Sequence, residues 1–328
     1  MFQRKKKHGG TTIFFCSDLH GSTVCFKKFI NSAQYYTSRG KQVDILLMGG
    51  DMTGKLIVPI IQEGSNYHSY LFGKEQTLTT QEELEEFVKK TDVLGVYPHI
   101  FSSDEYAEFK SNTEIQDELF KRLMLERLEE WIAFAETKLK DTGIPCYISP
   151  GNDDINEVNA ILDASSIVTC PDNKVVQLTD DHEMISLGYA NITPFDCPRD
   201  VPEEQLTQYL DQMASQVKDM ENCVFNTHCP PFGSNIDDAP LLDEDLRPQI
   251  GMTGVEMVSV GCHAVRDAIE RYQPLLGLHG HIHESKGTTE IGRTLCINPG
   301  SEYSEGILHG ALVTIRKGEV ASHMLVSG

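Results

Sequence analysis

Apolar residues recur along this chain in two rhythms. Short unbroken runs at 13–16, 43–48, 145–149, 223–226 and 275–278 have the length of strands buried on both faces. Between them apolar residues fall at helical spacing. Phe26, Phe29, Ile30 and Ala33 mark a helix over 22–39, with Gly40 as its stop. That helix and its two flanking runs make a strand–helix–strand unit. Thr80-Gln81-Glu82-Glu83 reads as a capping box for a helix ending near Leu94-Gly95. Thr113-Glu114-Ile115-Gln116 opens a longer helix to about Lys140. Leu119, Leu123, Leu128, Ile132 and Leu139 form its apolar side, and Glu118 and Arg122 are spaced as an i,i+4 pair. Further helices are predicted over 155–162, 203–218 and 262–272. Strands at 168, 175–178 and 184–187 are assigned to a second sheet. The tail gives strands at 295–297, 311–315 and 320–325, with Lys317-Gly318 as a turn.

Two stretches break the alternation. Residues 55–142 interrupt the strand–helix order, so the chain reads as a single domain over 1–328 with an insertion over 55–142, a hairpin plus helices. Excursions of that length between core elements are often functional. The hairpin at 56–72 and the stretch 97–109 are therefore the candidates for a lid or a protein-partner surface, while the long helix is assigned to packing. The second stretch, 229–253, carries four prolines and a cluster of acids and reads as a long loop.

The chemistry sits where the apolar runs end. Asp18-Leu19-His20, Gly49-Gly50-Asp51, Gly151-Asn152-Asp153-Asp154, Asn226-Thr227-His228 and Gly280-His281-Ile282-His283 each follow such a run. Open α/β sheets place their sites just past the carboxyl ends of strands. Asp18, His20, Asp51, Asn152, His228, His281 and His283 make seven potential ligands, too many for one zinc-like ion with an open position. They suit two ions about 3.5–4 Å apart. Nitrogen and oxygen donors without thiolate favour Mn, Fe, Zn or Co. Any one of these residues taken alone reads as a turn, cap or packing residue. The ordered set shifts that balance.

This set resembles the calcineurin-like metallophosphoesterase family, whose pattern runs Asp-x-His, Gly-Asp, Gly-Asn-His-Asp/Glu, a lone His, then Gly-His-x-His. The resemblance covers about 13–325 apart from the insertion, and it implies an αββα sandwich, four layers in an α/β fold. It also implies roles. Asp18, His20 and His283 hold one divalent ion, Asn152, His228 and His281 hold the other, and Asp51 bridges both. A metal-bridging hydroxide then attacks phosphorus in line. Asp153, Asn152 and His228 are the candidates for direct participation in that reaction. Asp153 stands where the family has His, the residue that assists the leaving group. A carboxylate is ionised near neutral pH and is a poor proton donor. Either the leaving group needs little protonation, or Asp153 points away. Relatives lacking this His are often phosphodiesterases, so the reading leans to a phosphodiester, a small ester such as a nucleotide. Asp154 is assigned a supporting role. Asn298-Pro299-Gly300-Ser301 is family-like in position and reads either as turn and packing residues or, at Ser301, as a phosphate contact, and His263, His279 and His309 are assigned to structure.

Charge narrows the partners. With 28 basic and 49 acidic residues the net charge is −21, which repels polyanions and opposes nucleic-acid binding or a nuclease. Nine cysteines without a Cys-x-x-Cys pair suit a reduced, cytoplasmic chain. The basic run Arg4-Lys5-Lys6-Lys7 precedes no long apolar stretch, so neither a signal peptide nor a membrane span is expected. The alternative is a protein-interaction scaffold on the same fold, like the retromer subunit of this family. Asp153 and the insertion favour it, and the complete ligand set opposes it. A protein phosphatase would keep the His that Asp153 replaces.

Overall fold

The computed structural model describes residues 9–71, 73–252 and 254–328, so the basic run 4–7, His8, Phe72 and Thr253 lie outside the described residues. Two six-stranded sheets form the centre. The first runs Glu319–Ser327, His309–Arg316, Thr11–Cys16, Ile45–Met48, Cys146–Ile148, Val168–Thr169. The second runs Gly287–Ile291, Thr294–Asn298, Leu276–Leu278, Val224–Thr227, Glu183–Leu187, Lys174–Gln177. The inner strands of each are parallel, and the outer strands are antiparallel except Val168–Thr169, which pairs parallel to Cys146–Ile148.

Strand alternation explains the layering. Ile13 and Phe15 face one way and pack with Ile45, Leu47, Val224, Leu276 and Leu278 between the two sheets. Phe14 and Cys16 face the other way, into a cluster with Phe26, Phe29, Trp131 and Leu162 from the covering helices. The second sheet is covered in turn by Leu206, Leu210, Val265 and Ile269 of the helices Glu203–Ala214 and His263–Tyr272. The result is a helix–sheet–sheet–helix sandwich, as expected.

Local signals account for most helix ends. Ser22 caps Thr23–Thr37, and Thr80 with Glu83 closes a full capping box on Gln81–Leu94, which stops at Gly95 with φ 72°. The 27-residue helix Thr113–Leu139 begins at the Asn112 cap. Its Trp131 ring stacks on Phe26 at 4.3 Å, and Trp131 Nε1 donates to Thr23 Oγ1 at 3.1 Å. A fully buried aromatic of this kind contributes about 1.5–3 kcal/mol.

Several expectations are corrected. The 56–72 hairpin is half of a four-stranded sheet, in which Tyr97–Ser102 pairs parallel to Ile57–Glu63. The pairing is non-local, and Pro59 and Pro98 in the two strands mask it in sequence. Residues 103–111 add a helix. Val168 joins the first sheet, not the second, because its neighbour is Cys146. The helix expected over 155–162 spans Val158–Ala164, and Gly287–Ile291 is an edge strand with no strong apolar run. Arg122 pairs forward with Glu126 at 3.8 Å, not back with Glu118. The loop 229–253 carries two short strands, Asp238–Pro240 and Ile250–Gly251.

Candidate metal centre

Five strand ends deliver the polar residues to one place. Thr11–Cys16 leads to Asp18 and His20, Ile45–Met48 to Asp51, Cys146–Ile148 to Asn152, Val224–Thr227 to His228, and Leu276–Leu278 to His281 and His283. The turns that follow are unusual. Asp18, His20, Asp51 and His281 hold φ of 58°, 39°, 51° and 66°, a region costing L-residues about 1–3 kcal/mol each. Hydrogen bonds between the turns hold it. Asp18, His20 and Gly21 donate backbone N–H to Gly50, Asp51 and Met52. The Asp154 carboxylate accepts from Gly151 N at 2.8 Å, Met52 N at 3.1 Å, Thr53 N at 2.8 Å and Thr53 Oγ1 at 2.7 Å. It therefore ties the turn bearing Asp51 to the turn bearing Asn152. The glycines matter here: a Cβ on Gly151 would collide with the Asp51 carboxylate, and one on Gly50, at φ 129°, with the His228 ring.

The ligand atoms fall into two groups that share no residue, and a third, His20, Asp51 and Asp153, overlaps both. Asp18, His20 and His283 converge within 4.8 Å, and so do Asp51, His228 and His281. His20 Nε2 lies 3.0 Å from His283 Nε2 and 3.5 Å from Asp51 Oδ2. The other Asp51 oxygen, Oδ1, is 3.3 Å from His228 Nε2. Asp51 thus presents one oxygen to each group. Asn152 completes the second side: its amide donates to Asp200 Oδ1 at 2.8 Å, while its buried Oδ1 has no hydrogen-bond partner. His228 is fixed the same way, with Nδ1 3.0 Å from the Gly49 carbonyl, while its buried Nε2 faces Asp51 Oδ1 at 3.3 Å without a well-formed hydrogen bond. Buried donors and acceptors are normally satisfied. Two such atoms beside converging carboxylates are what a cation would satisfy, so the residues present fit a pair of divalent ions.

The titration of the group has the same cause. Burial lowers His20 and His281 to about 4, so both are neutral and able to bind metal. Burial also opposes charge on His228, but Asp51 and Asp18 overcome it and push that imidazole up to about 9. Burial and Asp51 raise Asp154 to about 6, against its four hydrogen-bond donors. Asp51 is itself held well below the usual carboxylate range, where His228 and His20 outweigh its burial.

Asp153 does not point away. Its Oδ2 is 3.6 Å from His20 Nδ1 and 2.5 Å from Lys55 Nζ, and its Oδ1 accepts from Cys197 Sγ at 2.8 Å. No sequence signal marks Lys55 or Cys197; neither sits in a motif, and only the fold brings them here. The same is true of Arg199, wholly buried, which pairs with Asp172 at 2.5 Å and donates its backbone N–H to the Asn152 carbonyl. Ser301 donates its hydroxyl to the Asp18 carbonyl at 2.7 Å, which occupies its donor and corrects its reading as a phosphate contact. Asn298 holds the Gly280–His283 turn through its amide, at 2.8 Å from the Ile282 carbonyl. His279 packs against Thr227 and His309 against Glu302, whereas His263 lines the cleft described next.

A cleft of 810 Å³ opens from Asp51, Asn152, His281 and His283 and runs between 191–197 and 239–261. Of the 55–142 insertion only Lys55 lines it among the described residues, and neither the 56–72 hairpin nor 97–109 does. All nine cysteines are free thiols, eight of them buried. Among the described residues no helix is long and apolar enough to cross a membrane.

Comparison with known proteins gives three findings. The family model described as calcineurin-like phosphoesterase matches residues 11–285. An uncharacterised protein of Methanocaldococcus jannaschii is 30% identical over 152 residues, spanning 46% of this chain and 61% of that protein. Two solved structures share the fold. One is 15% identical with a TM-score of 0.54, and the other, the protein TT1561 of Thermus thermophilus, is 12% identical with a TM-score of 0.51. Each comparison covers 97% of this chain and 98% of the other.

Proposed function

Because this chain belongs to the calcineurin-like phosphoesterase family, we propose that it hydrolyses a small phosphodiester with two divalent ions held by Asp18, His20, Asp51, Asn152, His228, His281 and His283. The observation that carries this reading is the Asp51 carboxylate, with one oxygen facing each ligand group. When bound, the ions would supply an acidic water as nucleophile near neutral pH and offset charge on the phosphoryl oxygens. Asn152, turned by Asp200, offers its carbonyl oxygen without adding negative charge. Mn, Fe, Zn and Co all suit these donors.

Asp153 supports the diester preference. Its Oδ2 pairs with Lys55 and its Oδ1 accepts from Cys197, so both oxygens act as acceptors. It also offsets the ammonium of Lys55, the only lysine that lines the cleft among the described residues. A monoester dianion needs more fixed positive charge than a diester monoanion, and this pair supplies none in excess. The test is hydrolysis of bis-p-nitrophenyl phosphate beside p-nitrophenyl phosphate by metal-stripped protein reloaded with Mn, with Asp51→Asn as control. Metal-dependent turnover of the diester, lost in the variant, is the expected result. Preference for the monoester would refute the diester reading. Tight metal binding with no turnover of either ester would favour the scaffold.

A further inference from the structure

The cleft is much larger than a phosphoryl group, and at 810 Å³ it lies in the range that holds an organic ligand, about 300–1,000 Å³. Its walls are mostly hydrocarbon: Ile192, Pro194, Phe195, Leu241, Leu242 and Leu246. Three of these are exposed in a chain of net charge −21, Ile192 by 63%, Phe195 by 62% and Leu246 by 47%. Ile250, Met252, Val255 and Met257, on the segment that carries Leu246, are also exposed but do not line the cleft. Clustered exposed apolar residues mark binding surfaces more often than chance.

Apart from the proposed metal ligands, most polar side chains of the cleft are already engaged; Glu284 and the ring nitrogens of His263 are the exceptions among the described residues that line it. The Asn191 amide donates to the Val260 carbonyl at 3.4 Å, and its oxygen accepts from Cys229. Thr193 Oγ1 donates to Asp200 Oδ2 at 2.5 Å, and Ser259 Oγ to Asp238 Oδ1 at 3.1 Å. Asp243 Oδ1 accepts two backbone N–H groups at 2.9 Å. Lys55 is held by Asp153, and the His263 ring stacks on Phe232 at 3.9 Å. A nucleoside needs partners for its base edge and sugar hydroxyls, and a site that leaves them unpaired disfavours it. A hydrocarbon chain needs none.

We propose that the cleft binds an alkyl or acyl chain, so that the ester presented to the metal centre is an amphiphilic phosphodiester and not a nucleotide. The inference rests on the phosphoesterase reading for the reaction and on the cleft alone for the chain. It is tested with Mn-loaded protein on p-nitrophenyl phosphodiesters whose second group is methyl, butyl, octyl or thymidine, all sharing one leaving group. In parallel, calorimetry measures octyl phosphate and methyl phosphate binding to the metal-free chain. We expect kcat/KM to rise about tenfold or more from methyl to octyl, mainly through KM. Octyl phosphate should bind about tenfold tighter than methyl phosphate, and Phe195→Ser and Leu242→Asn should flatten both trends. Phe195 is exposed, so its variant should fold.

A flat series, or a thymidine ester faster than the octyl ester, overturns the inference and leaves the phosphoesterase reading standing. No turnover of any diester, together with chain-dependent binding that Phe195→Ser weakens, supports the subsite and counts against the catalytic reading. If Phe195→Ser only converts a dimer to a monomer in sedimentation, a second copy covers the cleft and the inference falls.

Discussion

Four of the proposed ligands, Asp18, His20, Asp51 and His281, hold left-handed backbone that glycine or asparagine would take more cheaply. The fold offsets this through the hydrogen bonds that cross between the turns, and the strain aims each side chain at a common centre. His228 shows what the centre asks of a ligand. Without metal its imidazolium is held up to about 9 by Asp51 and Asp18 despite burial, so below that pH a cation must displace its proton. His283 is raised as well, by Asp18. The sign follows: metal affinity rises with pH by about tenfold per unit between about pH 7 and 9, then flattens. Calorimetric titration with Mn in a series of buffers checks it, and an affinity independent of pH would contradict it. At this scale the ligand set was legible because its members sit in short motifs. Lys55, Cys197 and Asp200 were not, because each meets Asp153 or Asn152 only through the tertiary fold.

Elements outside the motifs hold the motifs in place. Arg127, on the long helix of the 55–142 segment, donates to the Gly21 carbonyl at 3.1 Å and to Thr23 Oγ1 at 2.8 Å, so that helix buttresses the turn bearing His20. The sequence announced this helix by its opening residues and apolar spacing, but its cap, Asn112, and its partner emerge only in the fold. The parallel strand pair 57–63 and 97–102 was hidden for the same reason, since each strand carries a proline and meets its partner across some forty residues. Two variants test the buttressing. Gly151→Ala drives a methyl group into the Asp51 carboxylate, and we expect it to abolish binding of at least one ion while the fold persists by circular dichroism. Arg199→Ala strips Asp172 of its partner in a buried pair, with an expected loss of about 3–5 kcal/mol in urea unfolding. A loss under about 1 kcal/mol would show that the pair is dispensable.

The whole molecule carries 21 excess negative charges, yet its proposed substrate is an anion. Long-range repulsion then slows encounter, and the two ions offset it only locally. For an anionic diester kcat/KM should rise about two- to threefold between about 10 and 150 mM KCl, the reverse of a basic enzyme; a fall would show that local cations dominate. Two apposed sheets direct five strand ends to one edge of the sandwich, which is why residues as distant as Asp18 and His283 share a site. The central claim is that this edge holds two ions bridged by Asp51. The most direct measurement is metal content after Mn loading and desalting, read with the electron paramagnetic resonance spectrum of the same sample. We expect two ions per chain with a spin-coupled spectrum, and loss of that coupling in Asp51→Asn. One uncoupled ion per chain, or a coupled pair that survives Asp51→Asn, would contradict the account.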